Sequence, residues 1–196
     1  MDLDGELYSY LRGAREALLW KLEGLGEYDV RRPMTPTGTN LLGLVKHSAR
    51  SHLVYFCEVF GRPGDASLGW LSDVTPGSDM WAKHDEARDA IEAAYRRSWE
   101  LADETVGELA ADAVGCVPWW GPDPVTLEHV VVHVTAETQR HAGHADIVRE
   151  LIDGSAGLLA AFDNLRVTDA AARGALRDEI EAAARRAAGG GPPGSR

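Results

Sequence analysis

Cysteine is scarce in this chain and forms no recognisable motif. Cys57 and Cys116 are the only cysteines, and no C-x-x-C pair occurs. Two isolated cysteines outside such a motif are typical of a reduced protein in which the thiols have a structural role. We therefore expect both thiols to be reduced and structural.

Long apolar runs are also missing. The longest ones are far too short to span a bilayer. The opening residues, MDLDGELYSYLRGAREALLW, are acidic and amphipathic, whereas a signal peptide begins basic and continues apolar. We therefore expect no membrane partner and a cytoplasmic location.

Positive charge is the third shortage. The formal net charge is −11 at pH 7, and the chain has no basic stripe beyond the pairs Arg31-Arg32 and Arg96-Arg97. A protein that binds nucleic acid usually presents a basic patch or stripe to the phosphates. We therefore expect no nucleic acid and no anionic membrane as a partner.

Several catalytic motifs are absent as well. No HE dipeptide occurs, which excludes the H-E-x-x-H signature of metalloproteases. Neither a G-x-S-x-G elbow nor a phosphate-binding glycine loop is present. A pair of E-x-x-H motifs is missing too, so a ferritin-like di-iron centre is not indicated.

The spacing of apolar residues predicts an all-α protein, because no segment shows the period-two alternation of a half-buried strand. Apolar stripes with helical spacing and plausible caps predict helices over 3–25, 40–60, 79–109, 125–153 and 168–187. The first four suggest a four-helix bundle. The connections at 62–78 and 110–124 are long enough to wall a pocket.

This pattern divides the chain into two parts. Residues 1–155 should form the bundle, and residues 156–196 should form a C-terminal extension. The extension would contain one helix, capped by Thr168 or Asp169, and then a disordered tail with the sequence AAGGGPPGSR.

The fourth predicted helix carries polar residues on the face that it should bury. That face follows steps of three and four residues through Val130, Val134, Glu137, His141, His144, Val148 and Leu151. His133 lies at its edge, so the pattern reads H-x-x-x-E-x-x-x-H-x-x-H. Four ligand-type side chains therefore share about three turns of one helix.

A divalent metal would account for this pattern. A buried ionised carboxylate without a partner costs several kcal/mol, and a cation offsets that cost. Glu137 and His141 lie four residues apart, so their side chains reach the same point beside the helix. The third ligand must come from another helix, where His47 is the best candidate. Zinc suits this donor set, and nickel, iron or manganese would also accept it.

Other interpretations of the same residues stay open. Glu137 and His141 could instead form a buried hydrogen-bonded pair, with His47 as an ordinary core histidine. His133 and His144 are better placed as hydrogen-bond partners or as a general base than as ligands.

Three further side chains are candidates for binding a substrate or cofactor. Trp119 and Trp120 stand between prolines in the second long connection and could line a pocket mouth. Arg140 could meet an anionic group.

Three segments of the chain resemble the DinB-like superfamily, and its uncharacterised mini-circle-protein branch most of all. These segments are YLRGAREALLWKLEGL, MTPTGTNLLGLVKHSARSHLVYFCEVFG and VPWWGPDPVTLEHVVVHVTAETQRHAGHADIVREL. They occur in the expected order within residues 3–155. The resemblance implies a four-helix bundle that holds a divalent metal through three side chains.

The resemblance also assigns roles to residues. His47 matches the family's histidine on the second helix, and Glu137 and His141 take the places of its H-x-x-x-H pair. A glutamate at the first of these places is similar to the mycothiol-dependent maleylpyruvate isomerases. The chain departs from the family pattern at His144, within HAGH where HRGQ is frequent, and at His52, where many relatives carry glutamate.

The chemistry that the resemblance implies is thiol-dependent. Characterised relatives are mostly S-transferases and isomerases in which the metal binds and ionises a low-molecular-weight thiol such as mycothiol. We therefore expect a metalloenzyme that acts on an electrophilic small molecule. Two alternatives stay open: hydrolysis by metal-activated water, and a non-catalytic metal-binding or helical interaction module. In that module the small residues of the third helix, such as Ala94 and Ser98, would serve a homodimer or partner docking.

Overall fold

The computed structural model describes residues 5–72, 75–162, 165, 167 and 169–189. The chain divides into two compact units, Met1–Asp163 and Asn164–Arg196. Helices dominate the described residues, whose one sheet has two short strands. The predicted all-α class is therefore confirmed.

The first unit is a helix bundle with short connecting elements. Its described α-helices are α1 (Glu6–Trp20), α2 (Glu27–Arg31), α3 (Leu41–Phe56), α4 (Arg88–Glu108) and α5 (Leu127–Asp153). Short 3₁₀ helices occur at Glu58–Phe60, Ala66–Ser72, Ser78–Met80 and Pro118–Trp120. The strands β1 (Val114–Gly115) and β2 (Val125–Thr126) pair antiparallel. Because α3 packs against α4 and α5, and α1 packs against α5, the four long helices form the predicted bundle.

Local sequence signals explain where the two site-bearing helices begin and end. The Asn40 side chain caps α3 by accepting a 2.7 Å hydrogen bond from the Gly43 amide. Thr126 caps α5 by accepting from the His129 amide at 3.2 Å. Gly154 ends α5 with a φ of 78°, a conformation that glycine adopts without strain.

The third bundle helix is shorter than the predicted span 79–109. It begins at Arg88, and residues 81–87 form no helix. The buried Lys46 explains this late start of the helix. Its ammonium group donates hydrogen bonds to the carbonyl oxygens of Ser78 at 3.0 Å and Trp81 at 3.1 Å. A side chain of α3 therefore holds these carbonyl groups against α3.

Two other helix ends also differ from the prediction. The first helix, predicted over 3–25, ends at Trp20 and continues as turns, and its residues 3 and 4 lie outside the described part of the chain. The second, predicted over 40–60, ends at Phe56 and is followed by a 3₁₀ turn. The β1–β2 hairpin was not predicted, because two-residue strands are too short to show an alternating pattern.

The small residues of α4 lie inside the bundle. Ala94 is 2 % exposed and Ser98 is fully buried, because α4 packs closely against α3. This stripe is therefore not available for dimerisation or partner docking.

The core is divided into two apolar clusters. One contains Leu18, Leu42 and Ile91, and the other contains Leu11 and Phe56. On α1 the charged Arg15 lies between Leu11 and Leu18 and is itself almost completely buried. A polar layer therefore crosses the bundle between the two clusters.

Another buried cation, Lys21, holds the segment that follows α5. The Lys21 ammonium group forms an ion pair with Asp146 at 2.7 Å, donates to the Gly157 carbonyl and lies 3.6 Å from the centroid of the Trp20 ring. Trp20 adds a 2.8 Å hydrogen bond from its indole nitrogen to the Leu158 carbonyl. Burial lowers the pKa of Lys21, although Asp146 partly offsets that effect.

Two sequence-based expectations concern cysteine and membranes. Cys57 is buried and Cys116 is exposed, and both are free cysteines. Among the described residues, no helix combines the length and apolarity that a bilayer crossing needs.

The second unit contains α6 (Ala170–Gly189). The Asp169 side chain accepts a 2.8 Å hydrogen bond from the Ala172 amide and so caps the helix that was predicted over 168–187. The alternative cap, Thr168, and the tail after residue 189 lie outside the described residues.

Gly43 marks the closest approach between α3 and the turn before α4. A Cβ atom at this position would lie 1.9 Å from the Met80 carbonyl oxygen, which is backbone and cannot rotate away. We expect Gly43→Ala to lower the free energy of unfolding by about 2–3 kcal/mol. Gly13, in the middle of α1, has open space around its Cβ position. Gly13→Ala is therefore a control that should stabilise the protein by about 0.5–1 kcal/mol. Urea unfolding measures both, and equal effects of the two substitutions would contradict the prediction.

Candidate metal centre

Three side chains predicted as ligands lie together on the inner sides of α3 and α5. His47, Glu137 and His141 each offer one donor atom, and these atoms lie within 4.8 Å of one another. The i, i+4 spacing brings Glu137 and His141 to one side of α5, and the packing of α3 on α5 brings His47 to the same point.

The Glu137 carboxylate is the centre of this group. Its Oε1 atom lies 3.1 Å from Nε2 of His47 and 3.9 Å from Nε2 of His141. Ser51, one turn after His47, donates a 3.2 Å hydrogen bond to the same oxygen. The rings of His47 and His141 meet edge to face, with centroids 4.9 Å apart.

The second carboxylate of the site was missed in the sequence. Oδ2 of Asp79 lies 2.6 Å from Nδ1 of His47, on the side of the ring that faces away from Glu137. Asp79 belongs to the 3₁₀ turn Ser78–Met80, which the sequence pattern assigned to the start of a long helix. The preceding Pro76-Gly77 dipeptide is the turn signal that could have separated Asp79 from that helix.

The charges of this group stabilise one another. Burial would lower the pKa of His47, but its contacts with Glu137 and Asp79 outweigh that effect and raise the pKa above its ordinary value. Burial would raise the pKa of Glu137, but His141 and His47 hold it well below its ordinary range. Glu137 is therefore an anion at neutral pH, as a metal ligand must be.

The donor atoms fit a divalent cation. Donors around a tetrahedral zinc ion lie about 3.4 Å from one another, close to the 3.1 Å and 3.9 Å separations at Glu137. Glu137 Oε2 and His141 Nδ1 are buried without a hydrogen-bond partner among the described residues. An unpaired buried carboxylate oxygen is costly, and a cation would remove that cost. The three side chains are 20 %, 22 % and 14 % exposed, so the site is partly exposed to solvent.

His133 lies next to this group and within an aromatic cluster. Its Nε2 atom is 3.8 Å from Oε2 of Glu137, and its ring centroid is 4.4 Å from that of Trp120 and 4.9 Å from that of Tyr55. Burial lowers the pKa of His133, although Glu137 partly offsets that effect. His133 is therefore neutral at pH 7 and can accept a proton.

The tryptophans of the second long connection reach the same region. Trp120 is half-buried against His133 and Tyr55, whereas Trp119 contacts Tyr55 and leaves 59 % of its surface exposed. The turn Pro118–Trp120 therefore places an accessible aromatic surface within reach of His133.

His144 and Arg140 are neighbours of His141 along α5. The His144 ring centroid is 5.6 Å from that of His141, and both His144 and Arg140 are exposed. Burial and the charges of His141 and Arg140 lower the pKa of His144. His144 is closer to the rim of the site than to its central carboxylate.

His52 belongs to the buried polar layer. Nδ1 of its ring contacts the Ser48 carbonyl at 2.6 Å, and its Nε2 atom accepts a 3.1 Å hydrogen bond from Arg15. Arg15 also forms a 2.8 Å ion pair with Asp103. Burial and the charge of Arg15 lower the pKa of His52 to about 3. Where many relatives are expected to carry glutamate, this chain therefore places a neutral ring beside Arg15, with Asp103 supplying the negative charge.

Comparison with known proteins gives the geometry a family context. A search of curated proteins finds no match to the chain. The model of the family described as mycothiol-S-transferase matches residues 6–154, which run from the start of α1 to the end of α5 and include every residue of the site. That family is DinB-like, so the resemblance to the DinB-like superfamily is confirmed, while the mini-circle-protein branch stays a prediction. The chain belongs to the mycothiol S-transferase family.

Proposed function

We propose that this protein is a divalent-metal-dependent enzyme that joins a low-molecular-weight thiol, such as mycothiol, to an electrophilic small molecule. His47, Glu137 and His141 would hold the metal. The observation that carries the proposal is the convergence of these three donors at a partly open site, in a chain of a thiol transferase family. A purely structural metal site would be closed to solvent.

The chemical contribution of the metal is limited to one task. A bound divalent ion would act as a Lewis acid and lower the pKa of a coordinated thiol, and the thiolate is the nucleophilic form. Zinc is the first choice for two imidazoles and a carboxylate, with nickel, iron or manganese as other possible ions.

The protein's own side chains would arrange this chemistry. Ser51 holds Oε1 of Glu137 by a hydrogen bond, so that the carboxylate keeps its orientation. His133 is neutral and lies beside the site, so it is our first candidate for accepting the thiol proton. His144, at the rim, is the second candidate.

Binding of the thiol and the electrophile would use the surfaces beside the donors. The exposed face of Trp119 and the edge of Trp120 offer a flat apolar surface. Arg140, the exposed residue before His141 on α5, would attract an anionic group of the cofactor or substrate. These three side chains are the proposed binding residues.

The proposal is tested by following conjugation of monochlorobimane, which fluoresces when a thiolate displaces its chloride. A carbon–sulfur bond forms, the carbon–chlorine bond breaks, chloride leaves and the thiol proton passes to a base. We expect turnover only when both mycothiol and zinc are present. His141→Ala should abolish it, and His84→Ala, a change at an exposed histidine outside the site, should not.

The other functions predict different results. An isomerase would use the thiol without consuming it, so a thiol-dependent change of an unsaturated acid would occur with no loss of thiol. A hydrolase would cleave esters or amides with zinc alone. No turnover of any substrate in the presence of bound metal would favour the non-catalytic module.

A further inference from the structure

One carboxylate outside the three proposed ligands contacts the site directly. Asp79 Oδ2 lies 2.6 Å from Nδ1 of His47, while Nε2 of the same ring faces Glu137. The two ring nitrogens therefore point in opposite directions, one toward Asp79 and one toward the donor group. The ring cannot rotate about its long axis without breaking both contacts.

The turn that carries Asp79 is held against α3 at several points. Asn40 donates a 3.1 Å hydrogen bond from its side-chain amide to the Met80 carbonyl, one residue after Asp79. Lys46, the residue before His47, donates to the carbonyls of Ser78 and Trp81 on either side of it. Both sides of Asp79 are therefore attached to the helix that carries His47.

Two further contacts reinforce this attachment. Lys46 also forms an ion pair with Glu86, with distances of 2.9 Å and 2.8 Å to the two carboxylate oxygens. Gly43 leaves space for the Met80 carbonyl, which no other residue could do because a Cβ atom would lie 1.9 Å away. Adjacent residues of α3 thus serve two purposes: Lys46 holds the turn, and His47 meets its carboxylate.

Such an arrangement has a known physical consequence for a metal-binding histidine. A carboxylate that accepts a hydrogen bond from one ring nitrogen fixes the tautomer in which the other nitrogen has a free lone pair. It also makes that lone pair more basic and fixes the direction of the ring. An ordinary surface ion pair needs no such attachment and contributes little.

We propose that Asp79 is a positioning residue of the metal centre, held by the Ser78–Met80 turn so that Nε2 of His47 points toward the ion. This inference rests on the proposed metal ligands. It assigns a role to a loop residue that the family match and the helical spacing of the ligands do not identify.

The test is the zinc affinity of the folded full-length protein, measured by competition with a chromophoric chelator at constant pH. Asp79→Asn changes a carboxylate to an amide of the same shape, and we expect zinc binding to weaken about 10–100-fold. Asp85→Asn removes the same charge from an exposed position of the same loop, and its affinity should stay within about threefold of the wild type.

A second measurement separates positioning from a merely structural role. The free energy of unfolding of Asp79→Asn, measured without metal, reports how much the side chain stabilises the fold. A structural role would lower this value and leave the zinc affinity of the folded protein unchanged, which would overturn the inference. Equal weakening in Asp79→Asn and Asp85→Asn would also overturn it, because loop charge alone would then be responsible. Failure of the wild type to bind zinc would instead overturn the proposed ligand set.

Discussion

Glu137→Ala should remove stoichiometric metal from the protein. The wild type is expected to retain about one divalent ion per chain, with zinc as the first choice. Without Glu137 the proposed ligand set loses its one carboxylate, and two imidazoles are left to hold the ion. We expect the affinity for zinc to fall by more than about 100-fold, since loss of a supporting contact alone costs 10–100-fold. Elemental analysis by plasma mass spectrometry on tag-free protein measures the metal content.

Matched variants make this result specific. His47→Ala and His141→Ala should lose the metal in the same way. Glu150→Ala, at an exposed position of the same helix, should retain it. Full metal in all three ligand variants would contradict the ligand set. A wild type without metal, even after incubation with several divalent ions, would favour a buried hydrogen-bonded network and the interaction module.

His52 should make the protein lose stability at mildly acidic pH. Its ordinary pKa is 6.5, and in the folded protein the pKa is lowered to about 3. Between these values the unfolded chain binds a proton that the folded chain cannot accept, because Arg15 already donates to the ring nitrogen that would take it. The stabilisation that the neutral His52 ring provides is fully present above pH 6.5. It is lost as the pH falls toward 3. We expect a loss of about 3 kcal/mol between pH 7 and pH 4 from this residue.

Glutamine at position 52 provides the comparison. Its amide can donate to the Ser48 carbonyl and accept from Arg15, but it does not titrate. Urea unfolding of the wild type and of His52→Gln at several pH values gives the two stability curves. The difference between the curves should change by about 3 kcal/mol over this range. Parallel curves would show that carboxylates, and not His52, cause the acid sensitivity.

The part of the site that lies on one helix could be predicted from the sequence. Glu137 and His141 interrupt an otherwise apolar stripe at a spacing that only a helix brings together. His47 could be proposed because it lies within an apolar helix and matches the family pattern. Its position against Glu137 depends on the packing of α3 on α5, which helical spacing alone does not determine.

The roles of loop residues and of buried charges could not be predicted from the sequence pattern. Asp79 lies in a turn whose path depends on Lys46, a residue more than thirty positions earlier. Leu151 was assigned to the packed face of α5 but is 62 % exposed. Asp146 lies outside that predicted packed face, yet it pairs with the buried Lys21. Periodicity describes one helix at a time, so it cannot show which neighbours occupy each side.

The contacts of Lys21 determine where the chain can be shortened. The family match ends at residue 154, yet the carbonyls of Gly157 and Leu158 satisfy two donors from the end of α1 and the turn after it. A truncated protein that stopped at Gly154 would leave a buried ammonium group and an indole nitrogen without these acceptors. A protein prepared for crystallisation or binding assays should therefore include the chain at least to Phe162.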